Sequence, residues 1–114
     1  MITTIIDVVR KRGDNYAIRF QTKQNGAVMN ITGATFKLTV NAQPKPLDAT
    51  VPPQVFQVAG NIIDAPNGIY EFVPTTGQMN QTPGKYYYDV EMTLSGQVAT
   101  LVAGKFTIQQ DITK

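Results

Sequence analysis

Apolar and polar residues alternate with a period of two along most of this chain. The longest clean alternation lies in 85–94, and shorter ones lie in 16–21 and 36–40. Because successive side chains of a β-strand point to opposite faces, this period indicates strands with one buried face. The apolar side of these runs consists of Tyr16, Ile18, Phe20, Phe36, Leu38, Val40, Tyr86, Tyr88, Val90, Met92 and Leu94. These side chains are therefore expected to face the core.

Turn signals separate the alternating runs. Asn25-Gly26, Asn67-Gly68, Pro83-Gly84 and Ser95-Gly96 each contain residues that tolerate a positive φ or a tight reversal. Ser95-Gly96 predicts a hairpin between the two strands that flank it. The segment 41–53 holds four prolines, which deny backbone donors to a sheet, so we expect a crossing loop or an edge there.

Together these signals predict seven or eight short strands and one helical turn. The strands are expected at 3–9, 15–22, 33–41, 54–58, 61–64, 68–73, 84–94 and 97–109. The helical turn is expected within 75–81, with Met79 facing inward. Many short strands at this spacing are typical of a β-sandwich. We therefore expect one all-β domain over residues 1–114, an antiparallel sandwich with no disulfide.

The last expected strand is apolar on both faces. One register places Val98, Val102, Phe106 and Ile108 in the core, and the opposite face then carries Ala99, Leu101 and Ala103. A strand that is apolar on both faces is normally covered on both sides. The residues Ala99, Leu101 and Ala103 are therefore a candidate partner interface, unless the proline-rich loop folds over them.

Composition removes most catalytic chemistry. The chain has no Cys, His or Trp, which excludes disulfides, thiol nucleophiles, thiolate metal sites and histidine bases or ligands. No spacing of carboxylates resembles a calcium loop, and no glycine-rich phosphate loop is present. We expect no cofactor, no metal and no enzymatic activity. The core must then rely on Phe20, Phe36, Phe72, Tyr88 and Phe106.

One pair of carboxylates has the spacing of a possible acid/base pair. Asp89 and Glu91 lie at i and i+2 on one expected strand face, about 7 Å apart by the strand rise. A glycosidase needs two such groups across a cleft, with the pKa of one raised. Both residues lie on the polar side of the strand, where solvated carboxylates are the ordinary case, so a hydrolase is disfavoured.

The basic residues are concentrated at one place. The net charge is +2, and Arg10-Lys11-Arg12 supplies three of the ten cations. Nucleic-acid surfaces usually spread over a face and include stacking aromatics, so we expect a solvated turn here and no nucleic-acid partner. No apolar stretch has the length of a membrane span, and the run 2–6 is too short for a signal-peptide core. We therefore expect neither a membrane partner nor export.

Two resemblances refine the fold. Gly84-Lys85-Tyr86-Tyr87-Tyr88 resembles the Gly-x-Tyr-x-Cys opening of the sixth strand in immunoglobulin domains, with Tyr88 in the place of the cysteine. This resemblance implies that Tyr86 is a tyrosine-corner residue and that the sandwich is immunoglobulin-like.

The second resemblance covers nearly the whole chain. It rests on motifs in a fixed order: Arg12-Gly13-Asp14, Asn25-Gly26, residues 31–36, Asn67-Gly68-Ile69-Tyr70, residues 83–93, residues 104–108 and residues 111–114. In this order and spacing the chain resembles small immunoglobulin-like β-sandwich proteins of tailed-phage structural gene clusters, related to the N-terminal domain of the baseplate upper protein. The resemblance implies a non-enzymatic virion component in the tail, baseplate, neck or capsid decoration.

The partners that this resemblance implies are other virion proteins, with copies of the chain itself as a further possibility. A second hypothesis is a carbohydrate-binding or adhesion module, because Tyr86, Tyr87 and Tyr88 offer aromatic rings. Only Tyr87 lies on the outward register, however, and one exposed ring makes a poor sugar platform. The virion role is therefore the favoured expectation.

Overall fold

The computed structural model describes residues 3–42 and 54–113, which form ten strands and one short helix. The strands are β1 Thr4–Ile5, β2 Val8–Lys11, β3 Ile18–Gln21, β4 Lys23–Gln24, β5 Ala27–Val28, β6 Thr35–Asn41, β7 Gln54–Asp64, β8 Ile69–Phe72, β9 Gly84–Leu94 and β10 Gln97–Gln109. The helix α1 spans Thr76–Met79. The expected all-β sandwich is confirmed.

Eight strands belong to one sheet that folds over itself. Its order is β1-β10-β9-β6-β7-β8-β3, with β2 pairing β10 beyond β1, while β4 and β5 form a separate hairpin. Strand β7 joins the two layers, because its first half pairs β6 and its second half pairs β8. Gly60 lies at the change of partner, where a Cβ would come within 2.8 Å of the Phe36 Cβ and 2.9 Å of the Phe72 ring. A larger residue would therefore separate the layers.

Aromatic side chains fill the space between the layers. The Phe36 ring stacks on Tyr70 with centroids 4.0 Å apart, and Phe56 and Tyr88 both meet Phe106 edge-on. All five residues expected to supply core bulk are buried: Phe20, Phe36, Phe72, Tyr88 and Phe106. Burial raises the pKa of the Tyr70 hydroxyl to about 12.

Most expected strands match the observed ones, with four differences. The segment expected as one strand at 3–9 contains β1 and β2, the latter extending to Lys11, and the β4–β5 hairpin was not predicted. The segments 54–58 and 61–64 are one strand, β7, and not two. Tyr16 was expected in the core but is 59% exposed, since it precedes β3 and its ring lies under the Arg10 guanidinium instead. The helical turn is confirmed: Thr75 caps α1, and Met79 is fully buried. Of the proline-rich segment, residues 43–53 lie outside the described part of the chain.

Candidate interaction face

The β9–β10 hairpin supplies the centre of the large layer, which consists of β1, β2, β10, β9, β6 and the first half of β7. The second half of β7, with β8 and β3, forms the small layer. Ser95 and Gly96 both have positive φ, 53° and 77°, so they form the tight two-residue turn that the sequence predicts. This turn sets the register, with Leu94 opposite Gln97 and Val98 opposite Thr93. From that register the odd-numbered residues of β9 point outward and the even-numbered ones point to the core.

A β-bulge at Leu101 reverses the alternation of β10. Thr100 pairs Glu91 and Val102 pairs Val90, so Leu101 is the extra residue on its strand. Before the bulge Val98 points outward and is 60% exposed, whereas after it Val102, Phe106 and Ile108 point inward. The expectation that Val98 belongs to the core register is therefore wrong.

The same bulge corrects the expected position of the candidate interface residues. Leu101 is only 6% exposed and Ala99 packs against the core, so neither offers an outward apolar surface. Leu101 instead faces the small layer, where it lies with Phe20 and Tyr70 around one cavity. Ala103 does point outward, beside Ile5 of β1. Whether Ala103 contacts a partner stays a prediction.

A break between β1 and β2 forms a groove beside Ala103. Both strands run parallel to β10, and between them Ile6 and Asp7 cross Gly104. Three hydrogen bonds hold this crossing: the Ile6 N–H donates to the Ala103 carbonyl at 2.9 Å, the Tyr88 hydroxyl donates to the Ile6 carbonyl at 2.6 Å, and the Lys105 N–H donates to the Asp7 carboxylate at 3.0 Å. The groove has a volume of about 410 Å³ and is lined by Ile5, Asp7, Tyr87, Tyr88, Ala103, Gly104 and Lys105.

We define the outer face as the outward side of β1, β2, β10, β9, β6 and β7. Three large apolar side chains on it are exposed: Ile5 at 72%, Val98 at 60% and Val9 at 52%. Along β9 the outward residues run from a cation through an aromatic ring to two carboxylates, in the order Lys85, Tyr87, Asp89, Glu91 and Thr93. Cross-strand neighbours add Lys105 beside Tyr87 and Lys37 beside Glu91. The face is thus apolar at its margins and charged along its centre.

Asp89 is the electrostatically unusual residue of the outer face. Burial raises the pKa of its carboxyl group, and the neighbouring charge of Glu91 raises it further. Among residues 3–42 and 54–113 no cation lies within ion-pairing distance of Asp89. The structure places Asp89 and Glu91 outward on one strand, as expected.

The basic triplet is not a solvated turn, which corrects the sequence-based expectation. Arg10 and Lys11 belong to β2, and the Arg10 guanidinium stacks on Tyr16 at 3.6 Å while it donates to the carbonyls of Tyr16 and Ala17. Arg12 pairs with Asp111 at 2.9 Å. Two of the three cations thus serve internal contacts, and Lys11 alone of the three is classed as exposed.

Tyr86 makes the contact that a tyrosine corner requires. Its hydroxyl donates to the Thr82 carbonyl, four residues upstream, at 2.5 Å. The half-buried ring packs against the core. Tyr86 and Tyr88 therefore use their hydroxyls internally, and Tyr87 is the outward member of the three.

The described residues form neither a metal site nor a membrane-spanning helix. No three His, Cys, Asp or Glu side chains in that part of the chain come together as a metal site would need. No helix there has the length and hydropathy of a membrane span.

Comparison with known proteins gives a match at the level of structure. No protein-family model matches the chain, and no curated protein matches it. The chain is similar to the N-terminal domain of phage TP901-1 ORF48, with a TM-score of 0.60 and 16% identity, over 96% of this chain and 99% of that one. The two chains share a fold. A second structure, an uncharacterized protein from Bacillus anthracis str. Ames, has a TM-score of 0.48 and 14% identity, over 96% of this chain and 85% of that one.

Sequence reasoning missed the apolar margin of the outer face. Val98 was assigned to the core, while Ile5 and Val9 lie in a run that shows no clean alternation. A bulge cannot be recognised from the sequence of a strand whose residues are apolar on both faces. The glycine at 104, within an otherwise regular strand, was the available signal that another backbone approaches closely there.

Proposed function

We propose that this chain is a non-enzymatic structural protein of a tailed-phage particle, which acts by binding other subunits of that particle in the tail or baseplate region or as a capsid decoration. The observation that carries the proposal is the fold shared with a phage protein domain along almost the full length of both chains. Because one fold can serve many functions, the proposed role also needs support from the surface of the molecule.

The outer face supports binding rather than turnover. Ile5 lines a groove that is open and shallow, and Val9 and Val98 are exposed elsewhere on the same face. Exposed apolar side chains that share one face are typical of protein contact. The carboxylates Asp89 and Glu91 lie side by side on one strand, whereas acid/base hydrolysis needs two groups on opposite sides of a substrate.

The proposal is tested on particles of a phage that encodes this chain. We expect peptides of the chain to co-purify with particles through a density gradient, at a copy number constant between preparations, when measured by mass spectrometry. Antibody labelling in the electron microscope should then place it on the tail, baseplate or capsid. A chain found only in the soluble part of the lysate contradicts the proposal.

A glycan array separates the proposal from carbohydrate binding. Of the three consecutive tyrosines only Tyr87 offers its ring to the outside, and sugar platforms usually need more stacking surface than one half-buried ring. We expect no glycan to bind. Specific binding that is lost in Tyr87→Ala would favour the adhesion function instead.

A further inference from the structure

The charges along β9 complement themselves under a two-fold rotation. The outward side chains run from Lys85 through Tyr87 and Asp89 to Glu91. Consider a two-fold axis that lies between two outer faces, parallel to the sheet and perpendicular to β9, at the level between Tyr87 and Asp89. This rotation lays one outer face on another with antiparallel strands. Lys85 of each copy then faces Glu91 of the other. We propose that the outer face is the interface of a symmetric dimer of this chain.

The dimer also supplies the cation that Asp89 lacks. Lys105 lies beside Tyr87 on the neighbouring strand. Because the rotation superposes the level of Tyr87 on the level of Asp89, Lys105 of one copy lies across the interface from Asp89 of the other, displaced sideways by one strand spacing of roughly 4.8 Å. A half-buried carboxylate with no cation nearby is costly in the monomer and becomes an interface contact in the dimer.

Apolar side chains and area both fit sheet-on-sheet packing. Exposed Ile5, Val9 and Val98 lose their contact with water when the two faces meet, and Ala103 is small enough to let the sheets approach. The residues of the outer-face strands, at a rise of about 3.4 Å and a strand spacing of about 4.8 Å, cover a flat area of about 700 Å². Specific interfaces of standard size bury about 600–1,000 Å² on each partner, so the outer face is large enough.

The proposal is tested by exchanging charges at the two ends of the pattern. Lys85→Glu places a carboxylate opposite the carboxylate of Glu91, and Glu91→Lys places a cation opposite the cation of Lys85, in both symmetry-related pairs. Each variant alone should therefore weaken dimerisation about tenfold or more. The double variant Lys85→Glu/Glu91→Lys restores opposite charges and should dimerise like the unmodified chain. Sedimentation equilibrium measures all four dissociation constants.

Mixing the two single variants gives a sharper test. In a mixed dimer both pairs are attractive, because the Lys85→Glu copy carries two carboxylates and the Glu91→Lys copy carries two lysines. We expect the mixture to form dimers that neither variant forms alone. Lys23→Glu, on the exposed β4–β5 hairpin, is the matched control and should leave dimerisation unchanged.

Three results would overturn the proposal: an unmodified chain that stays monomeric at about 1 mM, an equal effect of Lys23→Glu and Lys85→Glu, or no recovery in the double variant and the mixture. Thermal melting of each variant by circular dichroism verifies that it is folded. The proposal does not depend on the virion role, since a chain absent from particles could still dimerise through this face, and a particle component could be monomeric before assembly.

Discussion

At the scale of single residues, two arginines from one basic triplet each bind another segment of the chain. Arg10 covers the exposed Tyr16 ring and binds the backbone just before β3. Arg12 binds Asp111 beyond the end of β10, whose side chain is only 4% exposed. Guanidinium groups suit both tasks, because they stack on aromatic faces and donate several hydrogen bonds from one plane.

Arg12→Ala should lower the free energy of unfolding by about 1–2 kcal/mol, because it leaves a nearly buried carboxylate without its cation. The loss should be smaller than for a fully buried pair, since the Arg12 side chain is one-third exposed. Lys11→Ala, an exposed neighbour, is the control and should change stability by less than about 0.5 kcal/mol. Urea denaturation measures both, and equal losses would show that the Arg12 contact contributes nothing.

Asp89→Asn should raise the melting temperature near pH 7 and leave it unchanged near pH 3. The pKa of Asp89 is raised in the folded chain, so above the ordinary value of 3.8 the folded state keeps a proton that the unfolded state has lost. Stability from this residue is therefore present at acid pH and is lost as the pH rises. The neutral amide avoids that loss.

Melting curves between pH 3 and pH 8 test this, at concentrations low enough to keep the chain monomeric. The difference between variant and unmodified chain should grow with pH. A difference that is the same at every pH would instead mean that the amide acts through packing and not through ionisation.

At the scale of elements, β10 combines a regular hairpin with two local irregularities. The bulge at Leu101 turns the strand's apolar side, and Gly104 lets the β1–β2 connection cross directly over the sheet. The bulge depends on the extra residue Leu101, and the close crossing depends on the absence of a side chain at Gly104. Residues of β10 therefore line the groove on the outer face, and other residues of the same strand belong to the core.

Gly104→Ala should destabilise the chain by about 1–3 kcal/mol, as overpacking usually does. A Cβ at this position would press on the Ile6 backbone carbonyl, which is held by the Tyr88 hydroxyl and cannot retreat easily. Gly77→Ala is the matched control, because its Cβ would meet no atom closer than 3.9 Å. Chemical denaturation of both variants measures the difference, and equal stability would mean that the crossing moves freely.

Ser95→Asn should stabilise the β9–β10 hairpin by about 0.5 kcal/mol. Ser95 has a φ of 53°, a conformation that asparagine adopts more readily, and Asn-Gly is the preferred pair for this turn. Ser95→Val should have the opposite effect, because a β-branched residue is strained at positive φ. Thermal melting ranks the three chains, and a variant order independent of turn preference would contradict the assignment.

At the scale of the whole molecule, strand β7 makes the two layers interdependent. Its halves pair with β6 and with β8, and one core cluster contains residues of both layers. We expect one unfolding transition, with coincident curves from backbone and tyrosine circular dichroism. EDTA should leave the midpoint unchanged, because packing supplies the stability. Two separated transitions would mean that the layers unfold independently.

Local pattern was sufficient for most elements of this molecule. The hairpin at Ser95-Gly96, the buried Met79 of the helical turn and the five aromatic core residues follow from alternation and turn chemistry within a few residues. These features are local, because strand period and turn conformation depend on neighbouring residues. Of the predicted interface residues, Ala103 lies on the outer face, whereas Ala99 and Leu101 pack with the core.

The remaining features depend on contacts between residues far apart in the chain. The bulge at Leu101 is defined only by the pairing of β10 with β9, and β1 pairs β10 from Val102 onward. Arg12 becomes a structural cation only because folding brings Asp111 beside it. Alternation and turns thus specify which residues form strands, whereas sheet pairing decides which sides of those strands meet the core, because only the pairing sets where the alternation is interrupted.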